Sequence, residues 1–270
     1  MPQYPLGRLK QHDERSRAFA YRAAAPAVLR SVRHTSHIGI LDQGDVGSCT
    51  GNATVGALGY DPYFSTVNGT SLDEDLAVKV YSLATTLDPF TGTYLPDDTG
   101  SSGLAAAKAA QQLGLISGYQ HAFNLAAALT ALQAGPVITG ITWYESFFTP
   151  SSSGLVNIQT GDKPAGGHEV CVDGYDDAEQ LVWFRNSWSD SWGVGGRFCM
   201  PVTTWAQLLS DDGDATILTP LTLPAPVPNI TPDAILIRAM DPWASGTFAT
   251  YTKAGKAASA FRTWRASKGI

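Results

Sequence analysis

Three short segments, far apart in the chain, carry the residue types of nucleophilic catalysis. In Leu41-Asp-Gln-Gly-Asp-Val-Gly-Ser-Cys49-Thr-Gly-Asn-Ala53 a glycine-rich turn ends in a cysteine that opens an apolar, helix-like run, Ala53 to Leu58. A thiol at a helix N-terminus faces the positive end of the helix dipole and several free N–H groups, and both stabilise a thiolate. The same N–H groups can hold an oxyanion. Gly166-Gly-His168-Glu-Val-Cys-Val-Asp-Gly-Tyr175 starts a strand with a histidine after two flexible glycines. Val182-Trp-Phe-Arg-Asn186-Ser-Trp-Ser-Asp-Ser-Trp-Gly193 ends a strand in an asparagine, with two tryptophans close behind. A cysteine, a distant histidine and a polar orienting residue are the parts of a thiol acyl-transfer site. Composition alone does not bring them together in space.

The elements that must position them divide the chain in two. From Cys49 to about Ala134 the signals are helical. Ser71 and Glu74 have capping-box spacing, and Leu72, Leu76, Val80 and Leu83 follow at helical intervals. Ser102 can cap Leu104 to Leu113, closed by Gly114, and Asn124 can cap Leu125 to Gln133, closed by Gly135 and stopped by Pro136. After Pro136 the pattern turns to strands: Val137 to Tyr144, Glu169 to Gly174, Leu181 to Asn186, Arg197 to Met200 and Ala215 to Leu218. The second and third are joined by the turn Asp176-Asp177-Ala178-Glu179. A helix-rich half followed by an antiparallel half predicts an α+β protein in two lobes. Residues 1–37 read as a basic lead-in strap, 38–219 as the domain proper, and 220–270 as a proline-rich linker with a small basic extension. In that extension 234–240 suits a strand and 251–268 a helix.

The three segments resemble those of the papain-like cysteine peptidases, in the order Gln, Cys, His, Asn. Gln43-Gly44…Gly47-Ser48-Cys49 has the family's six-residue step from Gln to Cys, His168 leads into Gly174-Tyr175, and Asn186-Ser187-Trp188 with Trp192-Gly193 matches the family's Asn-Ser-Trp block. The resemblance implies a helical lobe bearing the Cys and an antiparallel β-barrel lobe bearing His and Asn. It implies Cys49 as nucleophile, His168 as ion-pair partner and acid, Asn186 as the group orienting the ring, and an oxyanion hole from the Gln43 side chain and the Cys49 backbone. Trp188 would shield the Asn–His contact. Asp98-Thr-Gly100-Ser101 resembles the backbone that pairs with extended substrate, and Gly100, Ser101, Gly167, Glu169 and Trp188 are the implied substrate contacts. The chain departs from the pattern at Thr50, where an aromatic residue is usual, at Val46, where a cysteine is common, and at Ser189, where glycine stands. Only 48 residues precede Cys49, fewer than a long prosegment needs. These features resemble a bacterial or phage branch. The implied activity is endopeptidase cleavage. The alternatives are a Cys-His amidase on bacterial cell-wall peptides, an acyl transferase, and an inactive fold used as a binding or assembly module.

Charge is segregated. Residues 1–34 hold seven Lys/Arg and two acids, 35–237 hold five and twenty-one, and 238–270 hold six and one, so two basic ends flank a body of −16. The ends are expected to pack on or near that body by Coulomb attraction. Its acidity argues against nucleic acid and makes a peptide with basic side chains a fitting partner. Glu169 fits two roles: a strand residue facing away, or the wall of an acidic pocket preferring Arg or Lys two residues before the cut. Cys171 and Cys199 read as isolated apolar thiols rather than a bridge, and no metal site or cofactor is implied. Met1 to Lys10 lacks the apolar stretch of a secretory signal and no run is long enough to span a bilayer, so an intracellular or virion-associated location is the expectation. The sequons at Asn52, Asn68 and Asn229 read as chance matches.

Overall fold

The computed structural model describes residues 4–9, 13–22, 28–67 and 69–222. The chain divides into Met1–Thr222 and Leu223–Ile270. The second unit, with most of the proline-rich linker, the expected strand 234–240 and the expected helix 251–268, lies outside the described residues, as do Asn68 and Asn229.

In chain order the first unit runs β1 (Val32–Arg33), α1 (Cys49–Leu58), α2 (Glu74–Thr85), α3 (Gly103–Gln112), β2 (Gly118–Ala122), α4 (Leu125–Leu132), β3 (Val137–Tyr144), β4 (Pro164–Asp176), β5 (Leu181–Arg185), β6 (Arg197–Pro201), α5 (Val202–Ser210) and β7 (Asp214–Thr219). Short 3₁₀ turns lie at Glu14–Phe19 and Glu145–Phe148. The Ser102 and Asn124 side chains cap α3 and α4 as expected, accepting from the N–H groups of Ala105 and Ala127. At α2 the cap is Asp73, not Ser71: its carboxylate takes the Leu76 N–H, and the Ser71 hydroxyl donates to Asp73. An ionised acceptor at the positive end of the helix outcompetes a neutral hydroxyl two residues earlier. Glu74 is thereby free to accept from the backbone N–H of Asp42, tying α2 to the turn that leads to Cys49.

The strands form one antiparallel sheet in the order β2-β7-β3-β4-β5-β6, with β1 added to β4. It is open, so the barrel expected of the second half is not present. Helices cover both faces, and burial is reached by layering rather than by closure. One face packs against α1, α2 and α3 through Ile138, Cys171 and Leu218. The other packs against α4 and α5 through Val137, Val170, Val172 and the aromatic residues Trp143, Phe184 and Phe198, with Trp205 contributed by α5. Along β4 successive side chains alternate between these two cores. His168 and Glu169 are therefore both buried yet face opposite ways. Cys171 and Cys199 are buried free thiols. Asn52 is buried inside α1, which closes that sequon to any glycan.

Candidate active site

Every residue of α1 is buried, including Cys49 at its first position. Ser48, the residue before it, offers no side-chain cap. Instead the Asn52 amide reaches back one turn to the Ser48 carbonyl and hydroxyl and holds the start of the helix. The turn before Cys49 is pinned from outside: the Gly47 N–H donates to Asp98 at 2.8 Å, the Tyr81 hydroxyl donates to the same carboxylate, and the Gly100 N–H donates to the Tyr81 oxygen. Tyr81 and Asp98 thus lock the cysteine turn to the Gly100–Ser101 wall. Only the residue types around Asp98 hinted at this; Tyr81 carried no signal in the sequence.

On β4, His168 Nε2 sits 2.7 Å from Asn186 Oδ1, which also accepts from the Ser187 N–H. An amide oxygen can only accept, so Nε2 carries the proton and Nδ1 is left as the basic nitrogen. Nδ1 is buried without a hydrogen-bond partner. The Trp188 ring stacks on the imidazole at 4.6 Å, and the Trp143 ring meets it edge-on at 4.8 Å. Water is thereby kept from the His–Asn contact, which strengthens it.

Gln43 is held at both ends. Its Oε1 accepts from the Ser187 hydroxyl at 2.7 Å, and its Nε2 donates to the Val46 carbonyl at 2.8 Å and to the Pro5 carbonyl at 3.3 Å. The Ser187 contact fixes which end of the amide points outward, so a donor faces whatever lies beside Cys49.

What lies there is the chain's own N-terminal segment, Tyr4 to Leu9. The Ser101 N–H donates to the Gly7 carbonyl at 2.8 Å, the Leu9 N–H to the Ser101 carbonyl at 3.1 Å, and the Arg8 N–H to the Gly167 carbonyl at 3.1 Å. Arg8 is thereby paired on both sides, parallel to Ser101 and antiparallel to Gly167. Tyr4 stacks on Trp188 at 4.5 Å. Gly7 passes the cysteine turn so closely that a Cβ on it would lie 1.6 Å from the Gly47 carbonyl oxygen. Gly100 has φ +75, and a Cβ there would meet the Gly7 oxygen at 2.5 Å, so both walls need glycine at this crossing.

Covered in this way, Cys49 and His168 are both pushed towards their neutral forms. Burial, with the Glu169 carboxylate adding to it, pushes the Cys49 thiol up to about 12, against weaker opposing pulls from the Glu169 and Gly7 backbone N–H groups and from Arg8. Burial pushes His168 down to about 4, opposed by its bond to Asn186. The Glu169 N–H acting on the Cys49 sulfur puts the thiol against β4 at the residue next to His168.

Comparison with known proteins follows from this geometry. A sequence model described as "Papain family cysteine protease" matches residues 92–206. Residues 92–206 thus carry the sequence signature of a papain family cysteine protease. The matched stretch includes Gly100, Ser101, His168, Glu169, Asn186 and Trp188, and it begins after Gln43 and Cys49. An uncharacterized peptidase C1-like protein of Acanthamoeba polyphaga mimivirus is 35% identical over 75 residues, 26% of this chain and 24% of the relative, so the alignment spans about a quarter of that protein's length. Xylellain, a cysteine protease from Xylella fastidiosa, superposes with a TM-score of 0.64 at 19% identity, covering 82% of this chain and 99% of its own. Digestive procathepsin L 3 of the Tenebrio molitor larval midgut does so with a TM-score of 0.57 at 17% identity, covering 80% of this chain and 75% of its own. These likenesses establish the papain-like fold.

Of the residues singled out in the sequence, Gly100, Ser101, Gly167, Glu169 and Trp188 meet the Tyr4–Leu9 segment, Gln43 bonds to its Pro5 carbonyl, Cys49 opens the helix behind it, and His168 pairs with Asn186. The backbone that pairs with that segment is Ser101 rather than Gly100, whose N–H is spent on Tyr81. Arg8, Gly140 and Asp214 also belong to the cleft and had no motif to announce them. Among the described residues no helix is long and apolar enough to cross a membrane, and no group of three metal-binding side chains occurs.

Proposed function

We propose that the chain is a cysteine endopeptidase whose nucleophile is Cys49 and which is held closed by its own N-terminal segment. Cys49 attacks the amide carbonyl. His168 takes the thiol proton at Nδ1 and later gives a proton to the leaving amine, while Asn186 fixes the ring through Nε2. Gln43 and the Cys49 backbone N–H receive the developing oxyanion. The observation that carries the reading is the sheltered His168–Asn186 pair, with its basic nitrogen unspent and one residue along β4 from the strand's contact with a thiol at a helix start. A structural cysteine would need no such histidine beside it.

The Tyr4–Leu9 segment supports the second half of the proposal. Its Gly7 N–H acts on the sulfur and its Gly7 carbonyl is bound to Ser101, so the peptide at the thiol presents a donor rather than a carbonyl carbon to attack. It occupies the cleft without being cut. The thiolate–imidazolium pair belongs to the open state, in which water restores the solvation that this segment removes. Mass spectrometry after exposure to an epoxide that alkylates papain-like thiols tests the reading: the adduct is expected on Cys49 and is lost in His168→Ala. A folded protein that takes no adduct even with the N-terminal segment released would overturn it in favour of an inactive module.

A further inference from the structure

The peptide plane between Val46 and Gly47 is bonded at both ends. Its carbonyl accepts from Gln43 Nε2 at 2.8 Å, and its N–H donates to Asp98 Oδ2 at 2.8 Å. A peptide unit is flat and rigid, so whatever fixes one end fixes the other. The Gln43 amide nitrogen carries two donors. The Val46 carbonyl holds the amide on one side, and on the other Nε2 reaches the Pro5 carbonyl of the closed segment at 3.3 Å. Asp98, at the far end of the plane, thus governs where the amide that faces Cys49 points. Two residues after Gly47 the same turn presents the Cys49 N–H.

The carboxylate is itself held. Its Oδ1 accepts from the Tyr81 hydroxyl, and the Tyr81 oxygen accepts from the Gly100 N–H at 3.0 Å. Tyr81 is fully buried on α2. Burial and the bond to Asp98 push its phenol up, with a weaker push from the charge of the Cys49 sulfur and against the Gly100 N–H, so it remains a donor. Helix α2 gives it a firm base. A Cβ on Gly51 would lie 2.1 Å from the Ala77 carbonyl oxygen and 3.0 Å from the Tyr81 nitrogen, so α1 and α2 meet backbone to backbone. Glu74, at the start of α2, takes the Asp42 N–H beside Gln43. One helix thus grips the cysteine turn near both of its ends. A stability role explains Asp98 poorly: it is an exposed residue, and its carboxylate is turned onto a backbone N–H two residues from the nucleophile.

We infer that Asp98, held by Tyr81, is a positioning residue of the oxyanion hole, orienting the Gln43 amide through the Val46–Gly47 peptide plane. It does not touch the reacting atoms. This rests on the peptidase reading above and names the residues that set the geometry of that site.

The test is a double-mutant cycle at Asp98 and Gln43 in the full chain opened by Gly7→Ala, with a peptide substrate. kcat is read at saturating peptide, where competition from the segment raises KM alone. Asp98→Ala is expected to lower kcat at least about tenfold, because a misplaced donor forfeits much of the roughly 10²–10³ that one oxyanion donor supplies. On a Gln43→Ala background the same substitution should cost less than about threefold, since the group it positions is gone. Asp98→Asn should restore most of the rate, its Oδ1 accepting from the Gly47 N–H and its Nδ2 donating to the Tyr81 oxygen. Tyr81→Phe leaves Asp98 without its support and should give a smaller loss that likewise disappears on Gln43→Ala. Alkylation of Cys49 by iodoacetamide, in which the sulfur displaces iodide and no oxyanion forms, should stay within about threefold in every variant. A kcat loss for Asp98→Ala below about tenfold, losses at Asp98 and Gln43 that multiply, or a parallel fall in alkylation would overturn the positioning role and leave the peptidase standing. Should Asp98→Ala fail to fold, the Tyr81→Phe cycle decides: a loss that persists on Gln43→Ala, or no loss at all, overturns the role. A parent chain that neither cuts peptide nor takes iodoacetamide at Cys49 overturns the peptidase reading, and the positioning role with it.

Discussion

A single methyl group added at Gly7 should switch the protein towards its open state. In the closed state the Gly7 Cα passes the Gly47 backbone so tightly that a Cβ would sit 1.6 Å from the Gly47 oxygen, where real contacts stay beyond 3.0 Å. The obstacle is backbone on a turn tied down by Asp98, so it cannot swing aside as a side chain would. The N-terminal segment must instead shift by more than an ångström and strain the bonds to Ser101 and Gly167. Overpacking of this kind costs about 1–3 kcal/mol, which lowers the closed-to-open ratio by roughly 5- to 150-fold. While the closed state dominates, observed reactivity is the open-state reactivity times the open fraction, so it rises by the same factor until the protein is mostly open. The assay is the rate of Cys49 alkylation by the epoxide, followed by peptide mass spectrometry on the full-length wild type and on Gly7→Ala. Cys171 and Cys199 serve as internal controls, because both are buried free thiols. Faster modification of Cys49 alone is expected. Equal rates for the two proteins would show that the segment does not govern access to the sulfur, and parallel acceleration at all three cysteines would mean that the substitution loosened the fold.

Further outcomes follow from the same geometry. Gln43→Ala in an opened chain should lower kcat by about 10²–10³, the usual loss for one oxyanion donor; single-turnover acylation measures it, and a change below tenfold would exclude Gln43 from the oxyanion hole. Trp188→Ala removes a fully buried ring stacked on His168, Tyr4 and Phe148, and should cost about 3–5 kcal/mol in urea unfolding; a loss under 1 kcal/mol would contradict its place in the core. His168 gives a pH signature. Its folded value is lowered to about 4 from 6.5. As the pH falls through 6.5 the unfolded chain takes up a proton that the folded ring refuses, so stability present above that value is lost down to about pH 4, by on the order of 3 kcal/mol. The melting temperature should fall across this window in wild type and less steeply in His168→Gln; identical slopes would mean that the ring is not sealed from solvent.

Much of this site was legible because its parts are local. Caps at Ser102 and Asn124, the strand Val137–Tyr144 and the three motif segments are each set by neighbouring residues, and they were found where the sequence put them. What escaped depends on distant partners. Helix α5 begins with Val202, Thr203 and Thr204, residues of strand-like propensity, and it is helical because Trp205, Leu208 and Leu209 bury a face against the sheet. The open sheet could not be read from strands alone, since closure depends on which edges meet. Gly140 carried no signal in the sequence; its place appears only when the register sets it between Glu169 and Asp214. Alternation turns Glu169 away from His168 and towards Arg8.

The charge segregation then takes on a mechanical meaning. A basic N-terminal end and an acidic body attract without specificity, and any of the first seven basic residues could have served that attraction. Among the described residues of that end, only Arg8 is buried between carboxylates, and it is the residue bracketed by backbone bonds to Ser101 and Gly167. Closure therefore draws on specific buried contacts and not on net charge alone.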